Sequence, residues 1–277
     1  MSTLSGKTIV ITGASRGIGK AIALRCARDG ANIVVAAKTV EPTPRKPDTI
    51  YDAVKEIEAC GGKGLAFQLD VRDGDRVTAM AKAAVETFGG IDAIVNNAGA
   101  IMLTPVEYTP LKRYDLMMGV NVRASFACAQ ACIPHLKKSD NGHILTLSPP
   151  IDMDPRWFAS HAPYTISKYG MTMLTLGLAG ELKSAGVAAN SLWPATTIAT
   201  AAVEMLGGES MMAMSRTVDI MADAAYAILT SDSRENSGNS YVDEEVLRAQ
   251  GVTDFDKYAV KPGHPLAPDL FLPGAHL

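Results

Sequence analysis

Short apolar runs alternate with longer amphipathic stretches along most of the chain, and this alternation limits the fold more than any other feature. Near-continuous apolar runs predict strands buried on both faces of a parallel sheet, and the amphipathic stretches predict the crossover helices between them. We therefore predict a single α/β domain with three layers and a doubly wound, mostly parallel sheet of seven strands. The predicted strands are Lys7–Thr12, Asn32–Ala37, Lys63–Leu69, Ile91–Val95, His143–Leu147, Val187–Trp193 and Asn239–Val242.

The helices of this alternation have recognisable ends. Thr109 is predicted to cap a long helix whose first position is Pro110, and Gly89-Gly90 is predicted to stop an earlier one. Residues 6–242 would form the core of a domain spanning 1–277, and 243–277 a C-terminal extension. The predicted helices run from a glycine-rich turn to about Asp29, over Asp73–Phe88, from Thr109-Pro110 to about Pro134, over Tyr164–Ser184 and over Asp219–Thr230.

Composition excludes several classes of function. The 277 residues carry a formal net charge of -3, which argues against a nucleic-acid partner. No apolar run approaches the roughly 18 residues of a membrane span, and Met1–Lys7 lacks the features of a signal peptide, so we expect a cytoplasmic protein. Cys128 and Cys132 lie one helical turn apart without a histidine at zinc-ligand spacing. We predict that they are core residues and that the chain holds no metal.

Two segments interrupt the alternation. Thr39–Pro47 contains three prolines and predicts an extended loop after the second strand. The tail from Phe255 is also rich in proline, and we expect it to wrap over the domain or over a neighbouring subunit. Its apolar anchors are Leu266, Leu270, Phe271 and Leu272.

A glycine-rich turn joins the first predicted strand to its helix. Gly13 permits a tight turn, Gly17 allows the backbone to approach a pyrophosphate, and Gly19 allows close packing of helix on strand. The helix N-terminus adds free N–H groups and the positive end of a dipole. In this strand–turn–helix position we predict a dinucleotide site in a Rossmann fold, with contacts from Ser15, Arg16 and Ile18 as well.

The end of the second strand bears on which dinucleotide binds. A carboxylate there would bind the ribose 2′-hydroxyl of NAD, but the strand ends in Ala37-Lys38. Lys38 and Arg16 are able to face a 2′-phosphate, with Arg45 and Lys46 nearby in the loop. The alternative is that these are solvated surface cations. We predict a preference for NADP over NAD.

Tyr164 and Lys168 have the i, i+4 spacing that places two side chains on one face of a helix. An ordinary tyrosine has a pKa of about 10 and exchanges protons poorly at neutral pH. A neighbouring ammonium group would stabilise the phenolate and lower that pKa toward the working pH, as general acid–base catalysis requires.

Five motifs occur together in one order: TGASRGIG after the first strand, Asn96-Asn97-Ala98-Gly99 after the fourth, Asn121, Ser148, and Tyr164 with Lys168. In this combination the chain resembles the short-chain dehydrogenase/reductase family from about Gly6 to Val242. It is most similar to the hydroxysteroid dehydrogenase-like subgroup, without room for the sterol-carrier-like domain of some members. The resemblance implies an oxidoreductase that interconverts a carbonyl and an alcohol, and a homo-oligomer, dimer or tetramer, formed through the long helix and the Tyr164 helix.

The resemblance also implies a role for each matching residue. Tyr164 would be the proton donor or acceptor, Ser148 would hydrogen-bond the substrate oxygen, and Lys168 would bind the ribose of the nicotinamide and lower the pKa of Tyr164. Asn121 would hold a water that relays protons. The remaining implied cofactor contacts are Asp70 and Val71 at the adenine, Asn97, Ala98 and Gly99 in the adenosine-side cleft, and Pro194 and Thr197 near the nicotinamide.

The chain departs from the family pattern around the substrate. The Ser148–Tyr164 spacing is longer than usual and contains Pro149-Pro150, and Ala195 stands where the family has glycine. Ile198–Met221 lies in the place of the substrate lid, and its five methionines suit either an apolar substrate or ordinary packing. Trp157, Phe158 and His161 are further candidates for the pocket wall, with His161 more typical of a surface or packing residue than a catalytic one.

Two other functions remain open at this point. A dinucleotide-binding sensor or scaffold without turnover would not need Ser148, Tyr164 and Lys168, all of which are present. A non-redox member of the same family, such as a dehydratase or an epimerase, would keep them. The substrate in every case would be a small molecule.

Overall fold

The computed structural model describes residues 3–44 and 47–272. Seven strands form one sheet in the order β3-β2-β1-β4-β5-β6-β7, and every neighbouring pair is parallel. The strands are β1 Thr8–Thr12, β2 Asn32–Ala37, β3 Lys63–Gln68, β4 Ala93–Asn96, β5 His143–Thr146, β6 Ala188–Trp193 and β7 Ser240–Val242. The predicted doubly wound fold is confirmed, and each predicted strand lies within two residues of its observed bounds.

Helices cover both faces of the sheet. They are α1 Gly17–Ala27, α2 Ile50–Ala59, α3 Gly74–Phe88, α4 Leu111–Met117, α5 Ala124–Leu136, α6 Arg156–Ala159, α7 Ala162–Leu182, α8 Ala201–Ala213, α9 Asp219–Leu229 and α10 Asp243–Ala249. Gly89 ends α3 in a left-handed conformation with φ of 90°, as the sequence predicts. Thr49 and Asp52 start α2 with a reciprocal capping box.

The prediction that Thr109 caps the long helix is wrong. The N-cap is Pro110, and no side chain caps the helix there. The Thr109 hydroxyl instead donates to the carbonyl oxygen of Pro105 at 2.8 Å, because the preceding loop folds back beneath it. The hydroxyl therefore stabilises the loop rather than the first turn of α4.

Side chains of each strand alternate between two apolar cores. Ile9 and Ile11 of β1 face the first core, with α1, α2 and α9, whereas Val10 faces the second, with α3, α5 and α7. Cys128 and Cys132 are buried in the second core, consistent with the predicted packing role. The sheet is thus covered on both sides, and its carboxyl-terminal edge is left to form a site.

One long helical stretch has a composition that the sequence analysis did not anticipate. By length and composition, Leu111–Leu136 is apolar enough to cross a bilayer, with a mean hydropathy of 1.3 in its most apolar window. Its inner face packs on the sheet through Cys128, Cys132 and Leu136. Such packing accounts for the apolar composition of a core helix.

Candidate functional site

The carboxyl ends of the parallel strands bring most of the predicted site residues to one edge of the sheet. The strand order reverses between β1 and β4, where a doubly wound sheet leaves a crevice for a ligand. The predicted residues at this edge are Gly13 after β1, Lys38 after β2, Asp70 after β3, Asn97 after β4, Ser148 after β5 and Pro194 after β6.

The glycine turn leaves no room for a side chain at Gly13 or Gly19. A Cβ on Gly19 would lie 2.8 Å from the carbonyl oxygen of Gly13, and Gly13 and Gly17 both have positive φ. The first N–H groups of α1 lack intrahelical acceptors. The N-cap residue, Arg16, has an extended backbone, and its side chain forms no hydrogen bond to these groups. This cradle of free N–H groups fits the pyrophosphate of a dinucleotide.

The Asn97 side chain holds the glycine turn in place. Its Nδ2 donates to the carbonyl oxygens of Thr12 and Gly13 at 2.8 and 3.2 Å. The hydroxyl of Thr12 accepts in return from the backbone N–H groups of Asn97 and Ala98, both at 3.0 Å. The sequence predicts Asn97 as a cofactor contact, and the structure adds that its amide group ties β4 to the turn.

The adenine end of the site is charged. Lys38 Nζ lies 3.9 Å from the Asp70 carboxylate, and 59% of the Lys38 side chain is exposed. The Arg72 guanidinium donates to both oxygens of Asp70 and lowers the pKa of that carboxyl to about 2. Val71 beside them is buried. The predicted contributions of Arg45 and Lys46 lie outside the described residues.

Tyr164 and Lys168 lie one turn apart on α7 and are both largely buried, with exposures of 6% and 7%. Lys168 Nζ donates to the carbonyl oxygen of Leu147 at 2.5 Å and stands 4.9 Å above the Trp193 ring. Burial lowers the pKa of Lys168 to about 7. Burial, together with Asp269, raises the pKa of Tyr164. This direction is opposite to the predicted one, because burial removes the water that would stabilise the phenolate.

Ser148 follows β5 and is fully buried. The Thr172 hydroxyl is within hydrogen-bond distance of two acceptors, the Ser148 Oγ at 2.9 Å and the carbonyl oxygen of Pro149 at 2.7 Å. Sequence reasoning missed Thr172, although it continues the i, i+4 spacing of Tyr164 and Lys168 by one further turn. Two groups on this face of α7, Lys168 and Thr172, therefore contact the end of β5.

Asn121 lies in a π-helical turn, Met118–Arg123, between α4 and α5. Such a turn inserts an extra residue and is frequent at functional sites. The Asn121 side chain accepts from the N–H of Ala100 at 2.8 Å and donates to the Ala100 carbonyl at 3.0 Å and to Ser167 Oγ at 2.8 Å. It joins the loop after β4 to α7, and Gly99 approaches its Oδ1.

In the segment after β6, Thr197 is hydrogen-bonded, whereas the Thr196 hydroxyl is not bonded to any described residue. Thr197 donates its N–H to the carbonyl oxygen of Ala267, accepts from the N–H of Arg216, and contacts Ser215 through its hydroxyl. Thr196 Oγ1 is buried and has no hydrogen-bond partner among the described residues. Thr200, at the start of α8, contacts the position that a Cβ on Gly17 would take. Thr200 thus lies beside the glycine turn.

The predicted lid residues divide between core and surface. Met221 is fully buried in the first core, whereas Met205 on α8 is 70% exposed. A left-handed Gly208, with φ of 60°, breaks α8 into two parts. The packing interpretation therefore holds for Met221, and α8 remains a candidate lid.

The C-terminal tail folds back onto this site, confirming that it wraps over its own domain. Asp269 donates its N–H to the carbonyl oxygen of Ala195 at 3.2 Å, and Trp193 Nε1 donates to the Leu270 carbonyl at 2.9 Å. Phe271 is buried among aromatic rings. Leu270 and Phe271 are two of the apolar anchors predicted from the sequence. Nothing in the sequence indicated that the tail reaches Tyr164.

Comparisons with known proteins agree with this geometry. Residues 7–209 match the short chain dehydrogenase family. Over 269 residues the chain is 57% identical to hydroxysteroid dehydrogenase-like protein 2 of Xenopus tropicalis and 55% identical to that of Homo sapiens, covering 97% of this chain in both cases. The chain spans 64% of the length of each of these curated relatives.

Solved structures show the same fold. A Xanthomonas campestris protein of known structure is 54% identical, with a TM-score of 0.95 over 98% of this chain and 99% of that one. A metagenomic short-chain oxidoreductase in complex with NADP is 28% identical, with a TM-score of 0.71 over 87% of this chain and 98% of that one. The chain therefore belongs to the short-chain dehydrogenase/reductase family.

Proposed function

We propose that this protein interconverts a carbonyl compound and an alcohol, with Tyr164 as the acid/base group. The observation that carries the proposal is the convergence of α7 on the end of β5. Lys168 reaches the Leu147 carbonyl at 2.5 Å, and Thr172 reaches Ser148 at 2.9 Å. Tyr164 lies on the same helical face one turn before Lys168, which supports its assignment to this site.

Each residue of the cluster has a distinct task in the proposed reaction. Ser148 donates a hydrogen bond to the substrate oxygen, and Tyr164 exchanges a proton with the same atom. The Tyr164 hydroxyl forms no hydrogen bond to any other residue in 3–44 and 47–272, which leaves it available for a substrate. Lys168 binds ribose hydroxyls and, when charged, stabilises the phenolate. A bound nicotinamide dinucleotide supplies or accepts the hydride.

We further propose NADP as the preferred dinucleotide. β2 ends without a carboxylate, and Lys38 follows it at the carboxyl edge of the sheet. Arg72 already neutralises the neighbouring Asp70, so Lys38 is available to bind a 2′-phosphate. Arg16 lies at the start of α1 and forms no ion pair with another described residue.

A homo-oligomer is also part of the proposal. A groove of about 550 Å³ lies between the long helix and α7, lined by Met118, Val122, Phe126 and Leu174 among others. On α7, Met173 and Leu176 are exposed beside it, by 55% and 42%. Exposed apolar faces of this kind are typical of subunit contacts. Light scattering on the purified protein measures the assembly directly.

The test is the absorbance of the reduced nicotinamide during incubation with a panel of ketones, aldehydes and alcohols. Net oxidation or reduction that requires Tyr164 supports the proposed reaction. Bound dinucleotide without any net redox change across the panel would instead favour a sensor, a scaffold or a non-redox enzyme.

A further inference from the structure

Phe271 occupies the centre of an aromatic chamber next to Tyr164. The chamber residues come from the segment between Ser148 and Tyr164, from α7 and from the end of β6. The ring centroids around Phe271 lie at 5.3 Å for Tyr169, 5.6 Å for Trp157, 5.9 Å for Trp193, 6.0 Å for His161 and 6.2 Å for Tyr164.

The backbone of Phe271 is strained in this position. Its φ is 71°. No other non-glycine residue among those that the structure describes has a positive φ. A bulky side chain rarely adopts this conformation, which persists where the surroundings impose it. Burial of the ring in the chamber, to 2% exposure, supplies that constraint. Departure of the ring would relieve the strain.

His161 gives the chamber an unused hydrogen-bond acceptor. Its Nδ1 lies 2.9 Å from Thr165 Oγ1, and the single hydroxyl proton of Thr165 is directed to the carbonyl oxygen of Trp157. This geometry assigns the proton to Nδ1, and burial, by lowering the pKa of His161, favours the neutral ring. Nε2 is left as an acceptor, buried and without a partner among the described residues. A buried polar atom of this kind is normally satisfied, and a ligand donor would satisfy it.

The proposed reacting groups have little exposure to solvent. Ser148 is fully buried and Tyr164 is 6% exposed, so a substrate oxygen needs an opening to reach them. Phe271 belongs to a tail segment joined to the region after β6 by few hydrogen bonds, including those of Asp269 and Leu270. This segment has fewer backbone hydrogen bonds than the helices and strands around it, so we expect its local opening to cost less free energy.

We propose that the chamber is a substrate subsite, that Phe271 is an internal occupant which leaves when substrate enters, and that His161 Nε2 accepts a hydrogen bond from the substrate. The inference rests on the proposed function and specifies its substrate class. The substrate is a carbonyl compound or alcohol with a ring-sized apolar group and a hydroxyl or amino donor. The substrate ring replaces the Phe271 ring among the same aromatic neighbours.

The two tryptophans of the chain, Trp157 and Trp193, both lie against Phe271, so tryptophan fluorescence reports on the chamber without turnover. The experiment titrates the full chain with benzyl alcohol, toluene and 1-heptanol. These probes share a carbon count but differ in their ring and in their hydroxyl. The variants are Phe271→Ala, Phe271→Leu and the double variant Phe271→Ala/His161→Leu. Phe255→Ala is the matched control, since Phe255 is a buried aromatic of the same tail outside the chamber.

Removing the internal occupant is expected to tighten binding of benzyl alcohol by about tenfold in Phe271→Ala relative to wild type. The affinity of Phe271→Leu for benzyl alcohol is expected to lie between those of wild type and Phe271→Ala. The affinity of Phe255→Ala is expected to match that of wild type. Benzyl alcohol binds more tightly than toluene to Phe271→Ala, and His161→Leu removes that preference while toluene binding stays the same. 1-Heptanol binds weakly throughout because it lacks a ring.

Two results would overturn the proposal. One is a tryptophan signal that does not respond to benzyl alcohol in either Phe271 variant, or that responds equally to 1-heptanol. The other is a preference for benzyl alcohol over toluene that survives loss of His161. The titrations need neither dinucleotide nor catalysis, so benzyl alcohol binding without any redox change in the ketone and alcohol panel would count against the proposed reaction and not against the chamber.

Discussion

Oγ1 of Thr172 lies 2.9 Å from Oγ of Ser148, and both residues are fully buried. Thr172 is two helical turns beyond Tyr164 on α7, and Ser148 is at the end of β5. The contact fixes the side chain of the residue proposed to bind the substrate oxygen. Because the Thr172 hydroxyl also binds the Pro149 carbonyl, it sets the start of the Ser148–Tyr164 segment as well.

Thr172→Val should therefore reduce turnover without changing dinucleotide affinity. Loss of one buried hydrogen bond that orients Ser148 costs about 1 kcal/mol, or roughly a fivefold decrease in kcat. Thr172→Ser keeps the hydroxyl and should restore most of the activity. Thr175→Val is the matched control, since Thr175 is buried on the same helix but contacts Thr146. Equal loss in Thr172→Val and Thr175→Val would reduce the contact to a purely structural one.

Tyr164→Phe removes the proposed acid/base group and little else. General acid–base catalysis contributes about 10²–10⁴-fold, so kcat should fall by at least about a hundredfold. The hydroxyl has no hydrogen bond within the described residues, so the melting temperature should change little. Dinucleotide binding, followed by fluorescence of the reduced cofactor, should be retained. The control is Tyr226→Phe on α9. This variant removes a hydroxyl that donates to Asp29, and it should keep its kcat. Near-normal turnover in Tyr164→Phe would refute the assigned role.

The sheet and the glycine turn could be predicted because their signals are local. The central strands β1 and β2 are buried apolar runs, and the positive φ of Gly13 and Gly17 is a conformation that glycine permits. Thr172 was also within reach, because it continues the helical spacing of Tyr164 and Lys168.

The remaining features depend on contacts between distant segments. The π turn that holds Asn121 reflects its bonds to Ala100 and Ser167, which no local pattern encodes. Phe271 meets Tyr164 only because the tail pairs with the residues after β6. The pKa direction of Tyr164 failed for the same reason, since burial by these distant residues decides it.

Lys38→Ala should weaken NADP selectively. If Lys38 binds the 2′-phosphate, the KM for NADP should rise by about tenfold, because a charge-assisted hydrogen bond of about 1.5–3 kcal/mol is lost, while the KM for NAD stays nearly constant. Lys63→Ala is the control, since Lys63 is an exposed lysine at the amino end of β3, on the opposite edge of the sheet. A wild-type protein that already prefers NAD would contradict the proposed role of Lys38.

Asn97→Ala should loosen the glycine turn. The variant leaves the carbonyl oxygens of Thr12 and Gly13 without their shared donor, which costs about 2 kcal/mol in the free energy of unfolding. For a chain of this size that corresponds to a decrease in melting temperature of about 5 °C. Dinucleotide affinity should fall too, because the N–H cradle is less ordered. Asn236→Ala serves as the control, because it removes an exposed hydrogen bond from a side-chain amide to the Asp232 carbonyl oxygen. Unchanged melting and affinity in Asn97→Ala would show that the turn holds its shape unaided.

Asp269→Asn should change how stability depends on pH. Burial, with a contribution from Asp243, raises the pKa of Asp269 from 3.8 to about 7. A carboxyl with a raised pKa in the folded state favours folding below its ordinary pKa and loses that contribution as pH rises through the folded value. The melting temperature of the wild type should therefore fall between pH 4 and 7 relative to that of Asp269→Asn. The asparagine side chain cannot ionise, so the variant lacks this dependence. Asp256→Asn, an exposed position on the same tail, should follow the wild type. Parallel melting curves for Asp269→Asn and wild type across that range would mean that the tail carboxylate is solvated rather than enclosed beside Lys168 and Tyr164.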